Sequence, residues 1–337
     1  MATYKRQRFL LMTLDPVHIG TGGYRLGRVD NSIVREPGTR IPKIPGTSLH
    51  GAARSYAAQL YETPEAAGQS QDKVTDPDKN PVCYTFGYIK KKQNGNETMA
   101  YSGVVNIFDA QVVFFPVYSM AGPVWVSTIN RMHEAGFEVE AEENNKLAET
   151  WDSGSVVLTW ERKDALNLGW LMVRVAKDKA VVKAPNEWKK DQRWQNVKQI
   201  AIVKESLFGH IVNSNLEVRT SVAIDPERGA AVDKALFTYE ALPRATFLTA
   251  EVVLDDYRDG DRNRPFPKSK TEKNNPLPGN EWRGPLDVVR TGLRMIEWLG
   301  VGGMGTRGFG RIAIVGEPIE EEYGKGAQYQ NIAQEVR

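Results

Sequence analysis

His18 and Asp30 enclose a glycine-rich stretch, "HIGTGGYRLGRVD". A histidine and a carboxylate that a pliable loop can bring together are able to do acid–base work on a phosphodiester. The same carboxylate is suited to a divalent ion, because hard cations take oxygen ligands. A structural histidine at a strand end and a turn-capping aspartate in "VDNS" are the alternatives, and residue type alone leaves both open. A second glycine run lies near the other end of the chain, "LGVGGMGTRGFGR", with six glycines from Gly300 to Gly310. Gly303, Gly305 and Gly308 satisfy G-x-G-x-x-G, but the dinucleotide fingerprint needs a strand before it and a helix after it. Here a helix precedes and a strand follows, so a pyrophosphate would meet no helix N-terminus. Arg307 and Arg311 inside the run point instead to a backbone cradle for polymer phosphates. A plain helix-to-strand crossover is the alternative.

Two further stretches carry chemistry. "IPGTSLHGAARS" places a loop ahead of a helix that Ser48 or Thr47 can cap, with His50 and Arg54 in its first turns. Unpaired N–H groups at such a terminus suit a phosphate. "LFTYEALPRATF" brings Tyr239 and Glu240 to a strand end, where a carboxylate is either a working group or an ordinary surface residue. The chain has no serine elbow, C-x-x-C pair, H-E-x-x-H or Walker loop, and its four histidines are scattered. Cys83 is single, so no disulfide framework is possible.

The elements that must position these residues follow from periodicity. Arg8–Leu14 reads as a strand. Leu49, Ala52, Ala53, Tyr56, Ala57 and Leu60 recur at helical spacing. "VVNIFDAQVVFFPVYS" is β-branched and aromatic, as a buried strand is, and "WVSTINRMHEAG" reads as a helix. "RTSVAIDPERGAAVDKALFTYE" reads as a hairpin about the "DPERG" turn, and "TFLTAEVVL" as a further strand. "GPLDVVRTGLRMIEWLG" is an amphipathic helix stopped by Gly300. Irregular alternation with long insertions predicts an α+β fold around an antiparallel sheet. No repeat and no linker divides the chain.

The bulk properties bound the answer. The 337 residues are 41% hydrophobic, and the net charge is +2. The charge is segregated. Residues 1–54 hold nine Lys/Arg against three Asp/Glu, residues 183–204 six against two, and acid gathers in "EPIEEEYG". A basic face on a near-neutral chain suits a polyanion. No long apolar run spans a membrane, and the basic then apolar start reads as a first strand rather than a signal peptide. A cytoplasmic location is expected.

In order along the chain, "LDPVHIGTGG", "GRVDNSIVRE", "IPKIPGTSLHGAAR", "YTFG", "IFDAQVVFFPVYS" and "VGGMGTRGFGRI" resemble the RAMP superfamily of CRISPR proteins. Within it, the set is most similar to the repeated backbone subunit of type III effector complexes, of the Cmr kind first and the Csm kind next. The resemblance covers about residues 8–125 and 215–315. Residues 137–200 lie outside it and read as an insertion.

The resemblance implies one domain over residues 1–337, with an RRM-like (ferredoxin-like) palm, insertions and a β-hairpin thumb at about 215–240. A polar tail is expected over 316–337. It implies copies arranged as a filament along a CRISPR guide RNA, beside other subunits of the complex and with no membrane. Each thumb displaces a nucleotide of the guide–target duplex, and the target RNA is cut beside it with a divalent metal, Mg2+ or Mn2+. A flipped nucleotide can bring its 2′-OH in line with the adjacent phosphorus. The family's catalytic and metal-binding aspartate corresponds to Asp30, with His18 beside the cut and Tyr239 and Glu240 in an "E-x-L-P" element. Guide contacts fall to Gly20, Gly22, Gly23, Ser48, His50, Arg54, Gly303, Gly305, Arg307, Gly308 and Arg311. One departure stands out: the family usually has a lysine on guide phosphate where this chain has His50, which is mostly neutral near pH 7. The competing readings are a non-catalytic RNA-binding subunit, a guide-processing endonuclease, and an enzyme acting on a small phosphate ester.

Overall fold

Continuous apolar runs such as "RFLLM" and "QVVFFPV" are what a strand carries when both of its faces are buried. The computed structural model shows both faces covered. It describes residues 4–22, 29–68, 73–91, 98–142, 152, 154–258, 266–267 and 282–323. Along the first strand, Tyr4–Thr13, Phe9 and Leu11 enter one hydrophobic cluster while Leu10 enters the other.

At one end of the sheet the order is Ile312–Tyr323, Tyr4–Thr13, Phe247–Leu254, Ala110–Ser119, each pair antiparallel. Helix Gly46–Leu60 follows the first strand, and helix Pro285–Leu299 precedes the last. That is the β-α-β-β-α-β order of a ferredoxin-like palm. The α+β expectation therefore holds. The two helices lie against each other, and Gly292 makes this possible: a Cβ there would fall inside the van der Waals shell of the Ala53 carbonyl oxygen.

The sheet continues past Ala110–Ser119 through Gly122–Ser127, Ile200–Ile202, Ser155–Leu158, Leu171–Lys183 and Leu166–Leu168. Trp125–Ser127, the start of the stretch expected to be helical, end the strand Gly122–Ser127, and Ile129–Ala135 is the helix. Two pairings in this extension are parallel, Gly122–Ser127 with Ile200–Ile202 and Ser155–Leu158 with Leu171–Lys183. The antiparallel sheet expected for the palm is found there, and the extension adds the parallel pairs. Residues from 137–200 also roof the palm's second face. Phe137 and Trp188 close over Leu10, Phe114, Phe247 and Val315. Trp188 Nε1 donates to the Glu317 carbonyl at 3.0 Å, and the Trp194 ring centroid lies 4.8 Å from that of Phe137. Both tryptophans pack.

Strands Glu217–Asp225 and Ala230–Ala241 form a hairpin in a sheet of their own. The polar tail expected from residue 316 is corrected by the structure, because the last strand runs on to Tyr323. Its acids face basic or amide partners on the first strand: Glu321 binds Arg6, and Gln7 Nε2 donates to Glu320 at 2.6 Å. Residues 324–337 lie outside the described residues. Among the described residues, no helix is long and apolar enough to cross a membrane.

Replacing Gly292 with valine forces the two palm helices apart, and overpacking of this kind costs about 1–3 kcal/mol. Denaturant unfolding should show that loss for Gly292→Val, and an unchanged midpoint would refute the contact.

Candidate functional site

Past Thr13 the chain runs between the hairpin base and the C-terminal glycine loop, and backbone bonds hold it from both sides. Val17 and Leu242 exchange N–H···O bonds at 2.9 Å in each direction. From the other side, Gly310 N donates to the Pro16 carbonyl and Gly303 N to the His18 carbonyl, both at 2.9 Å. Gly302 has φ +88°, and a Cβ there would lie 2.5 Å from the His18 carbonyl oxygen. Glycine is what lets this loop close on the His18 segment. The two glycine-bearing regions quoted from opposite ends of the sequence therefore meet.

His18 is buried at this junction. Its Nδ1 lies 2.7 Å from the Glu240 carbonyl oxygen. A carbonyl only accepts, so Nδ1 carries the hydrogen and Nε2 is the nitrogen left for other partners. Tyr239 is buried beside it, its ring 6.1 Å from that of His18 and 5.4 Å from that of Phe309. Its hydroxyl accepts from Ser221 Oγ at 3.2 Å. Tyr239, Ala241 and Phe309 form a small core of their own, with Phe237 and Met304 against it.

Glu240 departs from the role expected of it. Its carboxylate is buried and taken up by a bidentate pair with Arg35, 2.5 Å from Nη1 to Oε1 and 2.8 Å from Nη2 to Oε2. Oε1 also accepts the Ile33 N–H at 2.9 Å. A carboxylate so saturated is a latch rather than an acid or base. Above this latch, Glu240 N donates to the Asn31 carbonyl and Asn31 N to the Thr238 carbonyl.

Asp30 sits at the outer end of the same ladder and is exposed. Its Oδ2 accepts from Thr238 N at 2.7 Å and from Thr238 Oγ1 at 2.8 Å. These bonds, the backbone one first, hold its pKa below the ordinary carboxylate value. Among the described residues Oδ1 carries no hydrogen bond. Among the described residues, Asp30 is the one of the four acid–base candidates that is exposed and keeps a carboxylate oxygen without a hydrogen bond.

The arginines expected to meet RNA divide. Arg307 is exposed, its guanidinium 5.5 Å from the centroid of the Phe237 ring. Arg219, which sequence reasoning missed, lies 4.7 Å over the Phe309 ring. Arg311 is held in a two-pronged pair with Asp15, at 2.5 and 3.2 Å. Arg54 is corrected outright: it points inward and donates to the carbonyls of Ala66, Phe86 and Gly87. His50 lies edge-on to Phe86, and burial, with Arg54 nearby, pushes its pKa down, so it supplies no charge to a phosphate.

The helix start is also less open than expected. No side chain of Ser48 or Thr47 caps it; Asp109 accepts the Gly46 N–H at 2.8 Å, and Ser48 N donates to the Pro45 carbonyl. Ser48 does line a groove of about 350 Å³ with Ala52, Tyr56, Gly300, Gly302 and Gly305. Gly308, at φ +80°, closes the short 3-10 turn that Gly305 opens. Gly20 backs onto the His18 ring, Gly22 has φ +71°, and Gly23 lies outside the described residues. Sequence reasoning also missed Arg35 and Thr238. The proximity of Thr238 to "YE" was the one available signal.

For a divalent ion, Asp30 offers one oxygen, and no group of three or more potential ligand residues occurs among the described residues. That fits the binding mode of Mg2+, which uses one or two carboxylates and leaves its other positions to water and substrate phosphate.

A ferredoxin-like palm with a glycine loop and a hairpin closing on one N-terminal segment defines a modified RRM-like class. The RAMP superfamily model matches residues 10–313, and the chain belongs to that superfamily. The Pyrococcus furiosus protein called CRISPR system Cmr endoribonuclease Cmr4 is 28% identical over 266 residues, 74% of this chain and 82% of the relative. The Enterococcus italicus protein called CRISPR system Cms endoribonuclease Csm3 is 44% identical over 48 residues, 14% of this chain and 22% of that one. A chain in a cryo-EM structure of the type III-B Cmr-beta bound to cognate target RNA aligns with TM-score 0.58 at 13% identity, over 92% of this chain and 96% of that one.

Removing one partner of a buried ion pair typically costs about 3–5 kcal/mol, whereas an apolar replacement of both is often neutral. Glu240→Ala should therefore lose about that much in denaturant unfolding, and Arg35→Met with Glu240→Leu should recover most of it. Equal stability of Glu240→Ala and wild type would show that the latch carries nothing.

Proposed function

We propose that this chain is the repeated, guide-RNA-binding backbone subunit of a type III CRISPR effector complex and cuts complementary target RNA at regular intervals. The observation that carries the reading is Asp30: an exposed carboxylate fixed to the hairpin base through one oxygen and open through the other, in a RAMP chain whose relative is named a Cmr endoribonuclease.

The chemistry needs no covalent protein intermediate. The 2′-oxygen of the target ribose attacks its own 3′-phosphorus, the P–O5′ bond breaks, and a 2′,3′-cyclic phosphate and a 5′-hydroxyl result. Stacked A-form RNA forbids the in-line approach, so the protein's contribution is to hold a displaced nucleotide in line. The hairpin next to Asp30 is placed to do that. Asp30 Oδ1 takes the 2′-OH proton or holds a divalent ion. Such an ion, when bound, neutralises charge on the phosphoryl oxygens and lowers the pKa of a ligated hydroxyl or water. His18 keeps the loop in shape through Nδ1, and Glu240 latches the loop to the hairpin. Arg307, Arg219 and the groove beside Ser48 offer cationic and backbone contacts to RNA phosphates. Sequence choice is left to guide pairing, the division of labour of other RNA-guided systems.

The test assembles the complex on a guide, adds complementary RNA, and resolves products on a denaturing gel. Evenly spaced cuts are expected, abolished by Asp30→Ala and by chelation with EDTA, restored by Mg2+ in the wild type only, with target binding kept throughout. Binding without cuts by the wild type would favour the non-catalytic subunit. Undiminished cutting by Asp30→Ala would sink the assignment.

A further inference from the structure

We infer that Thr238 is the positioning residue for Asp30, clamping one carboxylate oxygen so that the other faces the displaced target nucleotide. The inference rests on the reading of Asp30 as the cleaving carboxylate and goes beyond it to a residue with no chemistry of its own.

The contact is reciprocal. Thr238 Oγ1 donates to Asp30 Oδ2 at 2.8 Å and accepts from Asp30 N at 3.1 Å. Thr238 N donates to the same Oδ2 at 2.7 Å. A hydroxyl has one hydrogen to give and lone pairs to receive, so a single side chain fixes both the backbone and the carboxylate of Asp30. The neighbouring rungs, Asn31 N to the Thr238 carbonyl and Glu240 N to the Asn31 carbonyl, set the register of the two segments but touch no atom of the Asp30 carboxylate.

An exposed aspartate otherwise samples several rotamers, and solvent exposure alone gives Asp30 no reason to hold one. Thr238 belongs to the hairpin strand and Asp30 to the N-terminal loop. The clamp therefore ties the orientation of the carboxylate to the position of the hairpin. Threonine supplies what the geometry uses, a hydroxyl on a β-branched carbon whose χ1 is restricted.

Groups that orient a working ligand from behind typically cost about 10–100-fold in activity when lost. Thr238→Val keeps the shape and the backbone N–H and removes only the hydroxyl. It should slow target cleavage by about that factor with target-RNA affinity and melting midpoint unchanged. Thr238→Ser should restore cutting to near wild type, and Thr238→Val should add nothing in an Asp30→Ala background.

Crystal structures of the full-length variants provide a readout independent of activity. One Asp30 rotamer is expected in the wild type and in Thr238→Ser, and a displaced or multiple rotamer in Thr238→Val. Wild-type cutting by Thr238→Val, an unmoved Asp30 in its structure, or a serine variant as slow as the valine one would each overturn the clamp. If Asp30→Ala itself cuts normally, the proposed function falls, and the rotamer comparison still decides whether Thr238 positions the carboxylate.

Discussion

The buried pair of Arg35 and Glu240 is the joint on which the site depends. Glu240 reaches two stretches at once: its carboxylate holds Arg35 and the Ile33 N–H, its N–H holds the Asn31 carbonyl, and its carbonyl holds His18. A hairpin of two strands is marginal alone, and this one pairs with no strand of the main sheet. Its base is held instead by the ion pair, the short ladder to residues 29–31 and the small core around Tyr239. A buried ion pair is a poor source of net stability but a good source of register, since an unpaired partner is costly in any other arrangement. Arg35 and Glu240 accordingly select one alignment of loop and hairpin, and Asp30 and Thr238 inherit it.

A second constraint lies under the sheet. The palm's strands are apolar on both faces, so a two-helix layer on one side would leave Leu10, Phe114, Phe247 and Val315 in water. The segment 137–200 covers them with Phe137 and Trp188 and is pinned to the last strand where Gly316 N donates to Asp191 at 2.9 Å. Phe137 and Trp188 are thus part of the core that the last strand's Val315 shares.

How much of this was legible follows the distance over which each interaction is made. Local patterns were readable: the helix about Leu49 and Ala53, the hairpin about "DPERG", and the glycine loops as close-approach segments. His18 and Asp30 drew attention because their short motifs stand together in sequence. Arg54 was misjudged because a charge in sequence is not a charge in solvent, whereas Arg311 stays exposed but carries an acidic partner. The partners of Arg54 are backbone carbonyls, which no side-chain pattern announces, and that of Arg311 is Asp15, near the other end of the chain. Glu240 was misjudged for the same reason, since its arginine lies across the fold. The acid run at Glu320–Glu322 reads as a tail until the basic strand that pairs with it is known.

The same reasoning explains why the basic composition of residues 1–54 does not translate into a basic face of equal strength. Arg6 and Arg8 are spent on Glu321 and Glu251, Arg35 on Glu240, Lys43 on Asp109, and Arg54 on carbonyls. Beside the hairpin base, Arg307 lies by the Phe237 ring, and Arg219 lies over the Phe309 ring while its Nε pairs with Glu217 at 2.6 Å. Those five cations of residues 1–54 are thus taken up by partners within the fold, while Arg307 stands exposed where the hairpin meets the glycine loop. The exposed Asp30 is tied to the same hairpin base through Thr238. The cation and the carboxylate thus share one register, set by the hairpin base.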